Sequence, residues 1–95
     1  MNGKFLAALD ATVIAFHFIG CAVDGAELVE FLQVIVSWGF QIGFGETRPG
    51  EEVFEAWQSA LPDIDVEDDG DTFAHFCGAL AREGHGIMPL SETAP

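Results

Sequence analysis

Ninety-five residues carry 16 acidic and 3 basic side chains, a formal net charge of −13, and 49% of the chain is hydrophobic. That length admits one domain with one core, and nine Phe with two Trp exclude a disordered acidic tail. Lys4, Arg48 and Arg82 are the whole cationic inventory. They are too few to grip DNA, RNA or an anionic membrane directly.

In chain order, the first helix is expected over 3–20, with Phe5, Leu6, Leu9, Val13 and Phe16 on one face and only Lys4, Asp10 and His17 as polar trace. A helix apolar nearly all round belongs at the centre of a fold. The β-branched and aromatic stretch Thr12–Ile19 suits a buried strand as well. Phe5–Val23 is almost continuously apolar behind Lys4, and Phe18-Ile19-Gly20-Cys21 has a faint likeness to a lipoprotein cleavage box. Asp10 and His17 interrupt that run, so a core helix is expected rather than a signal peptide or membrane anchor.

Asp24 is a good N-cap for a second helix over 25–42, with Glu27 in its first turn. Leu28, Phe31, Leu32 and Ile35 repeat on its inner face, and the glycines at 39, 43 and 45 mark the exit. A third helix over 49–61 opens at Arg48-Pro49. It buries Val53, Phe54, Trp57, Ala60 and Leu61, wets Glu51, Glu52, Glu55 and Gln58, and stops at Pro62. The acidic loop Asp63–Asp71 follows, and Asp69, Asp71 or Thr72 caps a fourth helix over 71–83 that carries Phe73, Phe76, Cys77 and Leu80 inward. Residues 85–95 read as a frayed tail, with Ile87, Met88 and Leu90 available to dock back. The expected fold is all-α: a compact single-domain bundle of about four helices with an acidic loop between helices three and four.

Motifs for chemistry are thin. Asp65-x-Glu67-x-Asp69-Gly70 follows the start of a calcium loop, but the position that needs a bidentate Glu is Phe76. His17 with Cys21, and Cys77 with His75 or His85, have zinc-ligand chemistry without the short paired spacings of a structural site. Two cysteines are not a disulfide framework; they read as free thiols in a reducing, cytoplasmic setting. There is no nucleophile elbow, no phosphate loop and no Tyr. No enzyme activity, metal or cofactor is expected.

The charge itself is the informative feature. Residues 1–45 hold four acids and one base, net −3; residues 46–95 hold twelve acids and two bases, net −10. Ten carboxylates fall within 46–71: Glu46, Glu51, Glu52, Glu55, Asp63, Asp65, Glu67, Asp68, Asp69 and Asp71. Helix-borne acids at i, i+3 and i+4 stand about 5–6 Å apart, a sparse version of the phosphate charge on duplex DNA. Val34, Trp38, Phe40 and Phe44 offer an apolar anchor beside them, Trp38 and Phe44 above all.

By composition and by this acidic band, the chain resembles the small acidic inhibitors of phages and mobile elements, the anti-restriction and anti-CRISPR proteins, some of which mimic DNA. The resemblance implies a stoichiometric inhibitor whose partner is a basic protein, a nucleic-acid-binding enzyme or effector complex of host defence. The acidic helical immunity proteins are a second similar class, whose tyrosine pair is absent here. Other readings are a halophilic surface, an acidic scaffolding bundle, and an obligate homodimer or complex subunit whose apolar helices one small bundle cannot cover.

Overall fold

The computed structural model describes residues 3–61 and 64–90, with side chains from Leu6 onward. Pro62, Asp63, the side chains of Lys4 and Phe5, and the tail beyond Leu90 lie outside the described residues. The elements are α1 (Gly3–Phe18), α2 (Gly25–Ser37), β1 (Phe40–Phe44), α3 (Glu51–Ser59), α4 (Gly70–Arg82) and β2 (His85–Pro89). The fold is therefore mixed α/β and not all-α: four helices carry a two-stranded antiparallel sheet in which Phe40 faces Pro89, Ile42 faces Ile87 and Phe44 faces His85.

Both strands lie where a helix end and a tail are expected. The second helix stops at Ser37, not 42, because Gly39 takes a positive φ of 87° and turns the chain out of the helix. Past that point Phe40-Gln-Ile-Gly-Phe alternates with period two, and Phe40 and Ile42 are buried while Phe44 is exposed. The segment read as a frayed tail is β2, with His85, Gly86, Ile87 and Met88 all buried. Such short strands gain stability only by packing on helices, and this pair does so: β1 lies on α2 and α1, β2 on α4. The outer edge of β2 is closed as well. The Ile87 N–H donates to Thr47 Oγ1 at 3.1 Å and the Arg48 N–H donates to the Ile87 carbonyl at 2.8 Å, so no ladder of unpaired amides faces solvent there.

The core is aromatic. Phe16 of α1, Phe31 of α2, Trp57 of α3 and Phe76 of α4 are each fully buried. Phe16 lies edge-on to Phe31 and Phe76, at centroid separations of 4.9 and 4.8 Å, and Trp57 stands 5.8 Å from Phe76. Such pairs add about 0.5–1.5 kcal/mol each beyond burial.

Helix α1 runs unbroken through Thr12–Phe18, which settles the strand alternative, but it is not a central helix. It turns Ala8, Ala11, Thr12, Ala15 and Phe16 inward, while Leu6, Val13, Ile14 and Phe18 are exposed. The small residues are the reason: they let α1 approach α4, where Ala79 is also buried. Larger side chains from α1 on that side would hold the helices apart. Thr12 satisfies its buried hydroxyl by donating to the Ala8 carbonyl at 2.7 Å. The expected N-cap of α2 and inward stripe of α4 are present: Asp24 and Glu27 form a reciprocal cap, with bonds of 2.8 and 3.0 Å, and Phe76 and Leu80 are buried.

Gly86 is the tightest point of the sheet. A Cβ there would strike the Thr47 amide nitrogen and the Glu46 carbonyl carbon and lie 2.8 Å from the Gly45 carbonyl oxygen. At Gly43, a Cβ would meet only the flexible Met88 side chain, its sulfur 3.1 Å away. Gly86→Ala is thus expected to destabilise the fold by about 1–3 kcal/mol, the range for overpacking, and Gly43→Ala by less. Urea midpoints of the two variants measure the difference, and equal midpoints would contradict the close approach.

Candidate functional site

Burial of Val53, Ala56 and Trp57 forces the other side of α3 into solvent. Glu51, Glu55 and Gln58, at i, i+4 and i+7, line that side, and Glu52 flanks them. Glu51 and Glu52 occupy the first turn, where the positive end of the helix dipole favours carboxylates. The stripe of acids thus starts on favourable ground despite its self-repulsion.

The loop that follows is held to the same side. Ile64 is buried and Val66 is half-buried; their amides donate to the Leu61 and Ile64 carbonyls at 2.7 and 2.9 Å. With those two side chains turned inward, Asp65, Glu67 and Asp68 turn out. Gln58 Nε2 then donates to the Asp68 carbonyl at 2.7 Å. This one bond joins the end of the α3 stripe to the acidic loop. A shallow depression opens at the junction, floored by Leu61, Ile64 and Val66 and rimmed by Gln58 and Glu67–Asp69.

Asp69 ends the loop and starts α4. Its Oδ1 accepts the Thr72 N–H at 2.8 Å, one of the three caps the sequence offers there. That backbone bond, aided by the Thr72 hydroxyl, holds the Asp69 carboxyl below its ordinary value. Asp71 is exposed in the first turn. In the calcium-loop register the twelfth residue, Phe76, lies in the core, and among the described residues no three His, Cys, Asp or Glu converge on one point.

The remaining predicted residues divide. Trp38, the C-terminal cap of α2, is exposed and shares a groove with Arg48, Glu51, Glu52, Glu55 and Pro89. The structure thereby brings an aromatic side chain next to the α3 acids. Phe44 is at the far end of β1 and lies against the His85 ring, 4.4 Å between centroids, so it is not part of that groove. Phe40 is buried and Val34 is partly buried against the core. Glu46 is exposed on the segment that covers β2. Gln58 is the residue that sequence reasoning placed on the wet face without a role; its spacing of seven from Glu51 was the available signal.

The nucleophilic groups are quiet. Cys21 and Cys77 are free thiols. Burial pushes Cys77 up to about 11, against a smaller opposing effect of the Thr47 side chain. Burial, then the carboxylates of Glu27 and Asp65, raise Cys21. His85 is buried, its Nδ1 2.7 Å from the Glu83 carbonyl and its Nε2 without a protein partner. No described helix is long and apolar enough to cross a membrane.

Comparison with protein-family models, with curated proteins and with solved structures finds no match to this chain.

Two measurements check the local chemistry. Because the folded Asp69 carboxyl titrates below its unfolded value, its contribution to stability is complete above the ordinary carboxyl pKa of about 3.9 and is lost as pH falls through the depressed folded value. Asp69→Asn, which keeps an acceptor but cannot titrate, should flatten that acid arm of a Tm-against-pH curve. For the thiols, Cys77 should react with a disulfide reagent at pH 8 about 10²-fold more slowly than a free cysteine. Cys21→Ala isolates its rate, and reaction at the free-thiol rate would contradict the burial.

Proposed function

We propose that this protein is a non-catalytic binding protein whose acidic band occupies the cationic nucleic-acid-binding surface of a partner protein and blocks it stoichiometrically, as a DNA mimic does. The observation that carries this reading is the Gln58–Asp68 bond, which makes one continuous band of the α3 stripe and the acidic loop. From Glu51 to Gln58 the helix advances about 10 Å at 1.5 Å per residue, and Asp65, Glu67, Asp68, Asp69 and Asp71 extend the charge beyond it. Duplex DNA carries a phosphate about every 3.4 Å along each strand. The band is sparser, and it matches a row of phosphate-binding Lys and Arg at intervals, not at every site.

Three physical consequences support the choice. Ten acids within 26 residues create a long-range field that speeds encounter with a basic surface. Exposed carboxylates at this density give up little hydration to a basic partner that approaches them from solvent. Trp38 stands at the edge of the α3 acids, where an aromatic side chain gives a contact insensitive to salt. The partner class is a basic nucleic-acid enzyme or effector complex of host defence, the target of the anti-restriction and anti-CRISPR inhibitors that this composition resembles. The setting is the cytoplasm, where two free thiols stay reduced.

The test is capture from a bacterial lysate at about 0.15 M salt, where the Debye length is about 8 Å, and at about 1 M, where it is about 3 Å. A basic protein should bind at low salt and elute both at high salt and with excess duplex DNA. Glu51→Lys/Glu52→Lys/Glu55→Lys, all three side chains already in solvent, should lose capture by at least about 10-fold while keeping its helical circular dichroism. Undiminished capture by the folded triple variant would remove the band from the interface and leave Trp38 as the contact.

A further inference from the structure

The outer face of α1 lies apart from the acidic band, and its side chains carry an internal symmetry. Leu6, Asp10, Val13, Ile14, His17 and Phe18 are exposed, and at 100° per residue they span about 140° of the helix. Leu6, Val13, Ile14 and Phe18 are 41–50% exposed, an apolar stripe of the size that on a single domain is often an interaction site. Among the described side chains of α1, the ionisable ones on this face are Asp10 and His17. They are seven residues apart, which is two turns, so they lie on nearly the same line of the helix. Their midpoint falls between Val13 and Ile14, two adjoining exposed apolar residues of the stripe.

We infer that this face binds a second copy of the same chain, α1 against α1 in antiparallel, about a two-fold axis that passes between Val13 and Ile14. An axis there brings Asp10 of each copy level with His17 of the other, each about 5 Å along the helix from the axis at 1.5 Å per residue. The carboxylate accepts a hydrogen bond from the imidazole N–H, and the symmetry makes the contact twice. Val13 and Ile14 of both copies close the centre, and Leu6 and Phe18 extend the apolar contact outward. The Arg82 guanidinium lies over the Phe18 ring, 5.2 Å from its centroid, and so places positive charge at the rim.

Charge decides the occupant. Each copy carries −13, so two copies repel on any face that holds the acidic band. On the α1 face the single carboxylate meets a partner for it in the second copy. An acid and an imidazole two turns apart on one line of the helix are complementary to the same pair run antiparallel, which is what a two-fold contact requires. One helix face falls short of the roughly 800 Å² per partner of a standard interface, so the dimer is weak and reversible.

Sedimentation equilibrium over about 5–500 µM chain, the range for an interface below standard size, should show the mass rising from 10.2 kDa towards twice that value. Val13→Glu/Ile14→Glu should stay monomeric throughout, with unchanged circular dichroism because both side chains are already exposed. Asp10→His and His17→Asp, each of which sets like groups opposite one another twice, should weaken the dimer by about 10-fold or more. The exchange Asp10→His/His17→Asp restores both contacts and should recover the wild-type constant to within about 3-fold. A monomer at every concentration, a dimer indifferent to Val13→Glu/Ile14→Glu, or an exchange variant no better than the single variants overturns the proposal. None of these changes touches the acidic band, so the outcome is independent of the function proposed above.

Discussion

Four aromatic side chains, one from each helix, meet in van der Waals contact at the centre of this protein, and the rest of the architecture follows from keeping them together. Phe16, Phe31, Trp57 and Phe76 are fully buried, with Phe54 and Phe73 as a second tier, 5.2 Å between their centroids. Rings of this size bury about 150–250 Å² each and are the largest side chains of the core. They also set the spacing of the helices. Where rings fill the centre, the helix flanks must be small, and α1 supplies Ala8, Ala11 and Ala15 for its contact with α4. One cost is visible: Trp57 Nε1 has no acceptor in this apolar setting, and an unmet N–H of that kind costs about 1–3 kcal/mol.

The small sheet completes the core rather than forming one of its own. Ile42 and Ile87 face each other across the two strands and both are buried. Covering β2 with the 45–48 segment brings backbone so close that only a glycine fits at position 86. The same segment then delivers the chain to α3 with Glu51 and Glu52 at the dipole's positive end. The sheet edge and the start of the acidic band are therefore products of one stretch of backbone.

The surface divides by electrostatics in the same way. Inward apolar residues of α3 and of the 64–66 loop push their acidic neighbours out on a common side, and the Gln58–Asp68 bond holds the two pieces together. Two ionisable groups, Asp10 and His17, interrupt the outer side of α1, which otherwise offers Leu6, Val13, Ile14 and Phe18 to solvent. One small domain thus carries a strongly charged surface and a nearly neutral apolar one.

Much of this was legible in the residues. The Asp24–Glu27 box, the Val53–Trp57 and Phe76–Leu80 stripes and the acid segregation of 46–71 are local patterns, encoded by spacing and by capping chemistry, and the helices stand within a few residues of where periodicity puts them. The misread parts depend on contacts distant in sequence. Phe40–Phe44 and His85–Pro89 are each too short and too rich in glycine to declare themselves strands. Each becomes one only by pairing with a segment about 45 residues away and packing on helices, an energy no local window contains. The face of α1 was misjudged for a related reason. Its apolar residues run nearly all round, so periodicity could not say which side is inside. The choice fell to the fit of small alanines against α4 and of Phe16 against Phe31 and Phe76. Sequence by itself determined that there are four helices, the Asp24 cap and the acidic half. Tertiary structure alone decided which apolar face is buried, which segments pair, and which acids share a surface, because packing and strand pairing are energies of contact between parts that sequence keeps apart.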